Sequence, residues 1–188
     1  MDIIRDNITW MCINIVLAFL AVIFGWVFLK EKNKILKTVF FILWFLFIPN
    51  TIYIVTDLQY FPNQFFEADP IVKLLLLFQY SFIIFISVVT YLYGFYPFVK
   101  FLKIKLRKNR EAANYIIVIM NFLIAFGVIL GRIQRTNSWY VFSQPQRVIS
   151  DGFSAYSSLA QMIYVIIFTV LINILYFGLR NRIPKVKV

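Results

Sequence analysis

Five long apolar runs, each divided from the next by a short polar stretch, set the pattern of the chain. A helix rises 1.5 Å per residue and the hydrocarbon layer is about 30 Å thick, so about 20 apolar residues make a crossing. The runs at about 8–29, 38–56, 71–96, 114–130 and 158–179 qualify. They predict an all-α, polytopic integral membrane protein with five transmembrane helices. No linker, low-complexity stretch or internal repeat interrupts residues 1–188, so a single membrane domain is expected. The first run is long, follows the acidic Asp2 and Asp6 around Arg5, and precedes no small-residue cleavage site, which points to a retained span rather than a signal peptide. Pro70 suits a first helical turn, and Pro97 is expected to stop the third span.

Basic residues give these helices a direction. They gather at Lys30, Lys32, Lys34 and Lys37, again at Lys100, Lys103, Lys105, Arg107, Lys108 and Arg110, and in the tail at Arg180, Arg182, Lys185 and Lys187. Positive residues stay in the cytoplasm, so the N-terminus is expected outside and the C-terminus inside. The net charge of +11 is spread over short loops beside the membrane rather than along one groove, so anionic lipid headgroups, not nucleic acid, are its expected partners.

Composition removes several classes of function. With 62% apolar and 14% charged residues and a mean hydropathy of +0.81, the chain has too much apolar surface for a water-soluble domain. The lone Cys12 can form no intrachain disulfide and is expected to pack as a small apolar residue. The absence of histidine excludes serine–histidine and cysteine–histidine catalysis and most zinc chemistry.

Two polar segments close apolar runs and hold the candidate chemistry. In the first, Asn50, Tyr53 and Asp57 lie within about 60° of one another on a helix and make one polar stripe. Pro49 is expected to kink that helix and to free a backbone carbonyl that Asn50 or a neighbouring helix can satisfy. In the second, Arg132 and Arg135 share a helix face with Asn121, while Gly127 and Gly131 would let a neighbouring helix approach closely. Asn137, Ser138, Trp139, Tyr140 and Phe142 come next, an aromatic belt suited to headgroup level. Pro145 is expected to open a short interfacial helix running through Arg147 to Asp151 and ending at Gly152.

The run from Leu46 through Pro49, Asn50, Tyr53, Thr56, Asp57 and Leu58, with Gly131-Arg132 and Arg135-Thr136-Asn137-Ser138-Trp139 further on, resembles the two signatures of bacterial integral membrane proteins grouped as domain of unknown function 1361. The resemblance covers most of the chain in helix number and order. It implies a bacterial inner or plasma membrane, and it supplies no activity. An acid often follows the tryptophan in that family, where this chain has Tyr140, which argues against an essential proton-transfer role there.

The leading functional expectation is a non-enzymatic membrane protein that binds an anionic lipid or cell-envelope precursor group on the outer face. Its ligand-binding residues would be Asn50, Tyr53, Asp57, Arg132, Arg135, Asn137 and Trp139, since the guanidinium fork matches phosphate and carboxylate. No metal or cofactor is expected. No catalytic residue is assigned, although an enzyme acting on a lipid-linked phosphate, with Asp57 as base or nucleophile, is an alternative. Another is a subunit that docks a membrane-protein partner or a second copy through its aromatic surface. A plain structural ion pair between Asp57 and an arginine competes with all three. Asn14, Gln79, Asn121 and Asn173 read as interhelical hydrogen-bond glue.

Overall fold

The computed structural model describes residues 2–107 and 109–181; Lys108, Arg182, Lys185 and Lys187, part of the basic clusters that orient the chain, lie outside the described residues. The first run is helix α1, Asp2–Lys30. The second is segmented into α2, Lys34–Phe47, α3, Pro49–Tyr53, a 3₁₀ segment, Ile54–Tyr60, and α4, Phe61–Glu67. The third is α5, Pro70–Lys105, and the fourth is α6, Arg110–Ile129, which ends in a π-helical turn, Leu130–Gln134. Two shorter helices, α7, Tyr140–Ser143, and α8, Pro145–Ser157, precede the last long one, α9, Leu159–Leu179. No strand occurs among the described residues. Five of these stretches, Asp2–Lys30, Lys34–Glu67, Pro70–Lys105, Arg110–Gln134 and Leu159–Leu179, are long and apolar enough to cross a membrane, so the protein is a multi-pass membrane protein.

Side-chain caps start three of the long helices. The Asn33 carboxamide accepts from the N–H groups of Ile35 and Leu36, Asn109 accepts from Ala112 N, and Ser158 from Gln161 N. The segmentation of the second span stems from its prolines. Neither Pro49 nor Pro62 has an N–H to donate, and beside each the chain tightens into i,i+3 bonds, Thr51 N to Ile48 O at 3.1 Å and Phe61 N to Leu58 O. The expected interruption at Pro49 is present. Asn50 Nδ2 donates to Phe47 O at 3.0 Å, so the asparagine beside the break satisfies a loosened carbonyl.

Three local expectations fail. Pro97 does not end the third span: it is buried inside α5, which runs on to Lys105. One turn before it, Gly94 O accepts a 2.7 Å bond from the Trp44 indole, and packing among Trp44, Phe95 and Phe98 holds the helix through the missing bond. Nor does Gly152 end α8, which continues to Ser157; no glycine has a positive φ, so Gly152 makes no left-handed stop. Cys12 is exposed on α1 instead of packed.

The helices pack as two groups. α1 lies against α5 and α2, α6 lies against α9, and the five-residue α3 touches α1, α5 and α6. Trp44, fully buried, stacks on Phe98 at 5.0 Å in the larger core, while Met11, Ile54, Leu76, Tyr80 and Ile83 build a second core near the other ends of the same helices. Polar links run within and between the groups as well. Tyr91 OH donates to Asn121 Oδ1 at 2.8 Å and Asn121 Nδ2 to Asn173 Oδ1 at 3.0 Å, tying α5, α6 and α9; Gln79 joins α5 to α1 through Asn7 and Ile4 O. At the lysine-rich end, Lys37 Nζ sits 5.5 Å from the ring centres of both Phe28 and Phe101. The polar segments meet at the opposite end, where α3 joins the two groups.

Candidate functional site

Arg132 reaches across that join. Its Nη1 donates to Asp57 Oδ1 at 2.8 Å and to Tyr53 OH at 3.4 Å. The guanidinium carbon lies 4.9 Å from the Tyr60 ring centre and 5.7 Å from that of Tyr53. With the Gln59 carboxamide oxygen turned toward it, Nε and Nη2 both donate to Gln59. The second carboxylate oxygen, Asp57 Oδ2, accepts from Asn14 Nδ2 at 3.1 Å. Asp57 is 3% exposed, so this is a buried ion pair whose charges are neutralised and whose hydrogen bonds are made.

Backbone winding explains the convergence. A 3₁₀ helix superimposes side chains three apart, which puts the Asp57 carboxylate and the Tyr60 ring on one line, and Arg132 contacts both. On the other side of the join, the π turn inserts extra backbone into the end of α6 and changes the helical phase of the residues beyond it. The N–H groups of Arg135 and Thr136 both close onto Leu130 O, and Arg135 is left at φ 54°, the one positive φ outside glycine among the described residues.

Of the seven expected ligand-binding residues, Asn50, Tyr53, Asp57 and Arg132 face one another across α3 and the end of α6, and Asn137 lies beside them. Arg135 does not join Arg132: it is exposed and forms no ion pair with Asp57, because the π turn breaks the α-helical period that put the two on one face. Trp139 is 43% exposed and stacks edge-on with Tyr140 rather than lining the site. Asn14, expected only to tie helices together, holds the carboxylate itself, and Gln59 and Tyr60 join the site without being expected there; the interval of three from Asp57 to Tyr60 is a signal only once the winding is known.

Beside the ion pair is a cavity of about 260 Å³. Its polar lining is Asn14, Asn50, Tyr53, Thr136, Asn137 and Ser138, and its walls include Leu17, Phe45, Pro49, Ile124, Leu130 and Val141. Among the described residues, no charged side chain lines it. Asn50 Nδ2 donates to Ser138 Oγ at 3.1 Å, linking α3 to the loop after α6. α8 closes one side with Val148 and is fastened by Thr136 Oγ1 donating to Asp151 Oδ2 at 2.5 Å and by Arg147, 3.6 Å from Asp151 and 4.7 Å from the Tyr140 ring centre. Each Asp57 oxygen accepts a hydrogen bond, one from Asn14 and the other from Arg132, so the carboxylate is held in place from both sides.

The left-handed position of Arg135 yields a check on the local backbone. A non-glycine residue there costs about 1–2 kcal/mol, partly cancelled by the unfolded-chain entropy that glycine adds. Arg135→Gly should therefore unfold at or slightly above the wild-type midpoint in detergent, and Arg135→Val below it. A clear loss of stability for the glycine variant would mean that the arginine side chain holds the turn.

No curated protein and no solved structure matches the chain. The two segments that meet at the ion pair fall within residues 13–175, which match the family described as protein of unknown function (DUF1361) and take in the second, third and fourth spans whole and most of the first and last. That match takes in most of the sequence and every residue of the buried pair and its cavity, and the chain belongs to this family.

Proposed function

We propose that this is a non-enzymatic membrane protein that takes a lipid-type amphiphile into the cavity between α3, α6 and α8, with the Asp57–Arg132 pair fixing the polar end of the site. The observation that carries this reading is a lining that combines carboxamides and hydroxyls, among them Asn14 and Tyr53 bonded to the ion pair, with apolar side chains, which suits a molecule with a head and a chain. The lysine-rich turns at the opposite end support an outer-face position for the cavity. Arg132, paired and packed between two rings, acts here as a wall anchor, and Arg135 stands outside the cavity, so the anionic head group expected of two available arginines is replaced by an amphiphile held through neutral groups.

Native mass spectrometry of the full chain released from micelles tests this. The wild type should retain a bound amphiphile, and Val141→Trp, which pushes an indole into the cavity from α7, should lose it while keeping its unfolding midpoint. Equal retention by both proteins would refute the reading.

A further inference from the structure

The hydrogen-bond directions around the cavity specify what kind of head group it accepts. Asn14 Nδ2 donates to the Asp57 carboxylate, which can only accept, so the carboxamide orientation is fixed and Oδ1 is left as an acceptor. Asn50 uses both amide hydrogens, on Phe47 O and Ser138 Oγ, and its Oδ1 is likewise left to accept. Ser138 Oγ and Tyr53 OH each accept a bond, from Asn50 and Arg132 respectively, and each keeps its own hydrogen to donate. Asn137, with no hydrogen bond to its side chain among the described residues, offers both an acceptor and donors.

The polar lining of the cavity therefore offers acceptors (Asn14, Asn50), hydroxyl donors (Tyr53, Ser138) and the Asn137 carboxamide, carries no cation among the described residues, and has the Asp57 carboxylate one residue behind it. A fully ionised phosphate or a carboxylate, which only accepts, would face two carbonyl oxygens that it cannot satisfy, and an unsatisfied buried polar group is costly. A hydroxyl both donates and accepts. Building on the lipid-cavity reading, we infer that the ligand is an uncharged lipid with a polyhydroxyl head group, of the sugar or glycerol class, and not a lipid phosphate.

The test places the full chain in phosphatidylcholine nanodiscs doped with either glucosyl diacylglycerol or phosphatidic acid of the same chains, and reads retained lipid by native mass spectrometry. Glucosyl lipid should be retained about tenfold over phosphatidic acid, equivalent to about 1.4 kcal/mol. Tyr53→Phe and Ser138→Ala, which remove one hydroxyl each and little volume, should each lower its retention about threefold to tenfold. Phosphatidic acid retained in preference, and lost in Val141→Trp, would overturn the head-group inference while leaving the lipid cavity standing. Lipid retention unchanged in Val141→Trp, Tyr53→Phe and Ser138→Ala alike would place the lipid elsewhere and remove both readings.

Discussion

Replacing Arg132 with methionine should destabilise the protein by about 3–5 kcal/mol, the cost of stranding one partner of a buried ion pair. The two partners are not equivalent. Asp57 is 3% exposed on a short side chain, so without Arg132 it keeps only the Asn14 carboxamide for a full negative charge. Arg132, deprived of Asp57, still has the Gln59 oxygen and the faces of Tyr53 and Tyr60, and its long stem can carry the charge toward water. Asp57→Asn should accordingly cost less, about 1–3 kcal/mol, within the range for a mismatched buried hydrogen bond. The double variant Asp57→Leu with Arg132→Met should recover much of the single-variant loss, because no charge is left unpaired. Unfolding midpoints in micelles measure all three. Equal losses in the two single variants, adding up in the double, would show that the pair is not energetically coupled.

That pair is legible in the sequence because two signals agree: polar residues at helical spacing close one span, and arginines close another, in a chain with few charges to choose from. The spans themselves are legible because their lengths match the hydrocarbon thickness. The features that escape lie where the backbone leaves the α-helical period. From Ile54 to Tyr60 the period is about 3.0 rather than 3.6, which brings Tyr60 in line with Asp57, and from Leu130 to Gln134 it widens, which removes Arg135 from the face of Arg132. Asn14 escapes for another reason. It is 43 residues upstream of Asp57 on a different helix, and nothing local in α1 marks it as more than an isolated carboxamide in a span. Pro97 misleads because Trp44, on another helix, stacks on Phe98 and donates to Gly94 O, and so holds α5 through a break that the local sequence makes plausible.

Alanine at Gly127 is expected to cost about 1–3 kcal/mol, the range for a methyl forced into a packed contact. A Cβ there would lie 2.8 Å from Pro49 Cγ and 3.1 Å from Pro49 Cβ, and a proline ring cannot swing aside, so α3 or α6 must shift. Such a shift acts on the join between the two helix groups and on the cavity, which Gly127 and Pro49 both line. Gly131 differs in degree: its Cβ would meet the Tyr53 ring at 3.2 Å, a contact that a few tenths of an ångström relieves, and the gain of about 1 kcal/mol in helix propensity offsets it. Gly152 reverses the sign. Nothing lies within 4 Å of a Cβ placed there, in the interior of α8, so Gly152→Ala should stabilise by about 0.5–1 kcal/mol. The three variants carry the same chemical change, and thermal unfolding in one detergent should rank them Gly127→Ala below wild type, Gly131→Ala near it and Gly152→Ala above. Gly127→Ala as stable as Gly152→Ala would mean that α3 does not press on α6, and the seam that holds Arg132 against Asp57 would have to be drawn differently.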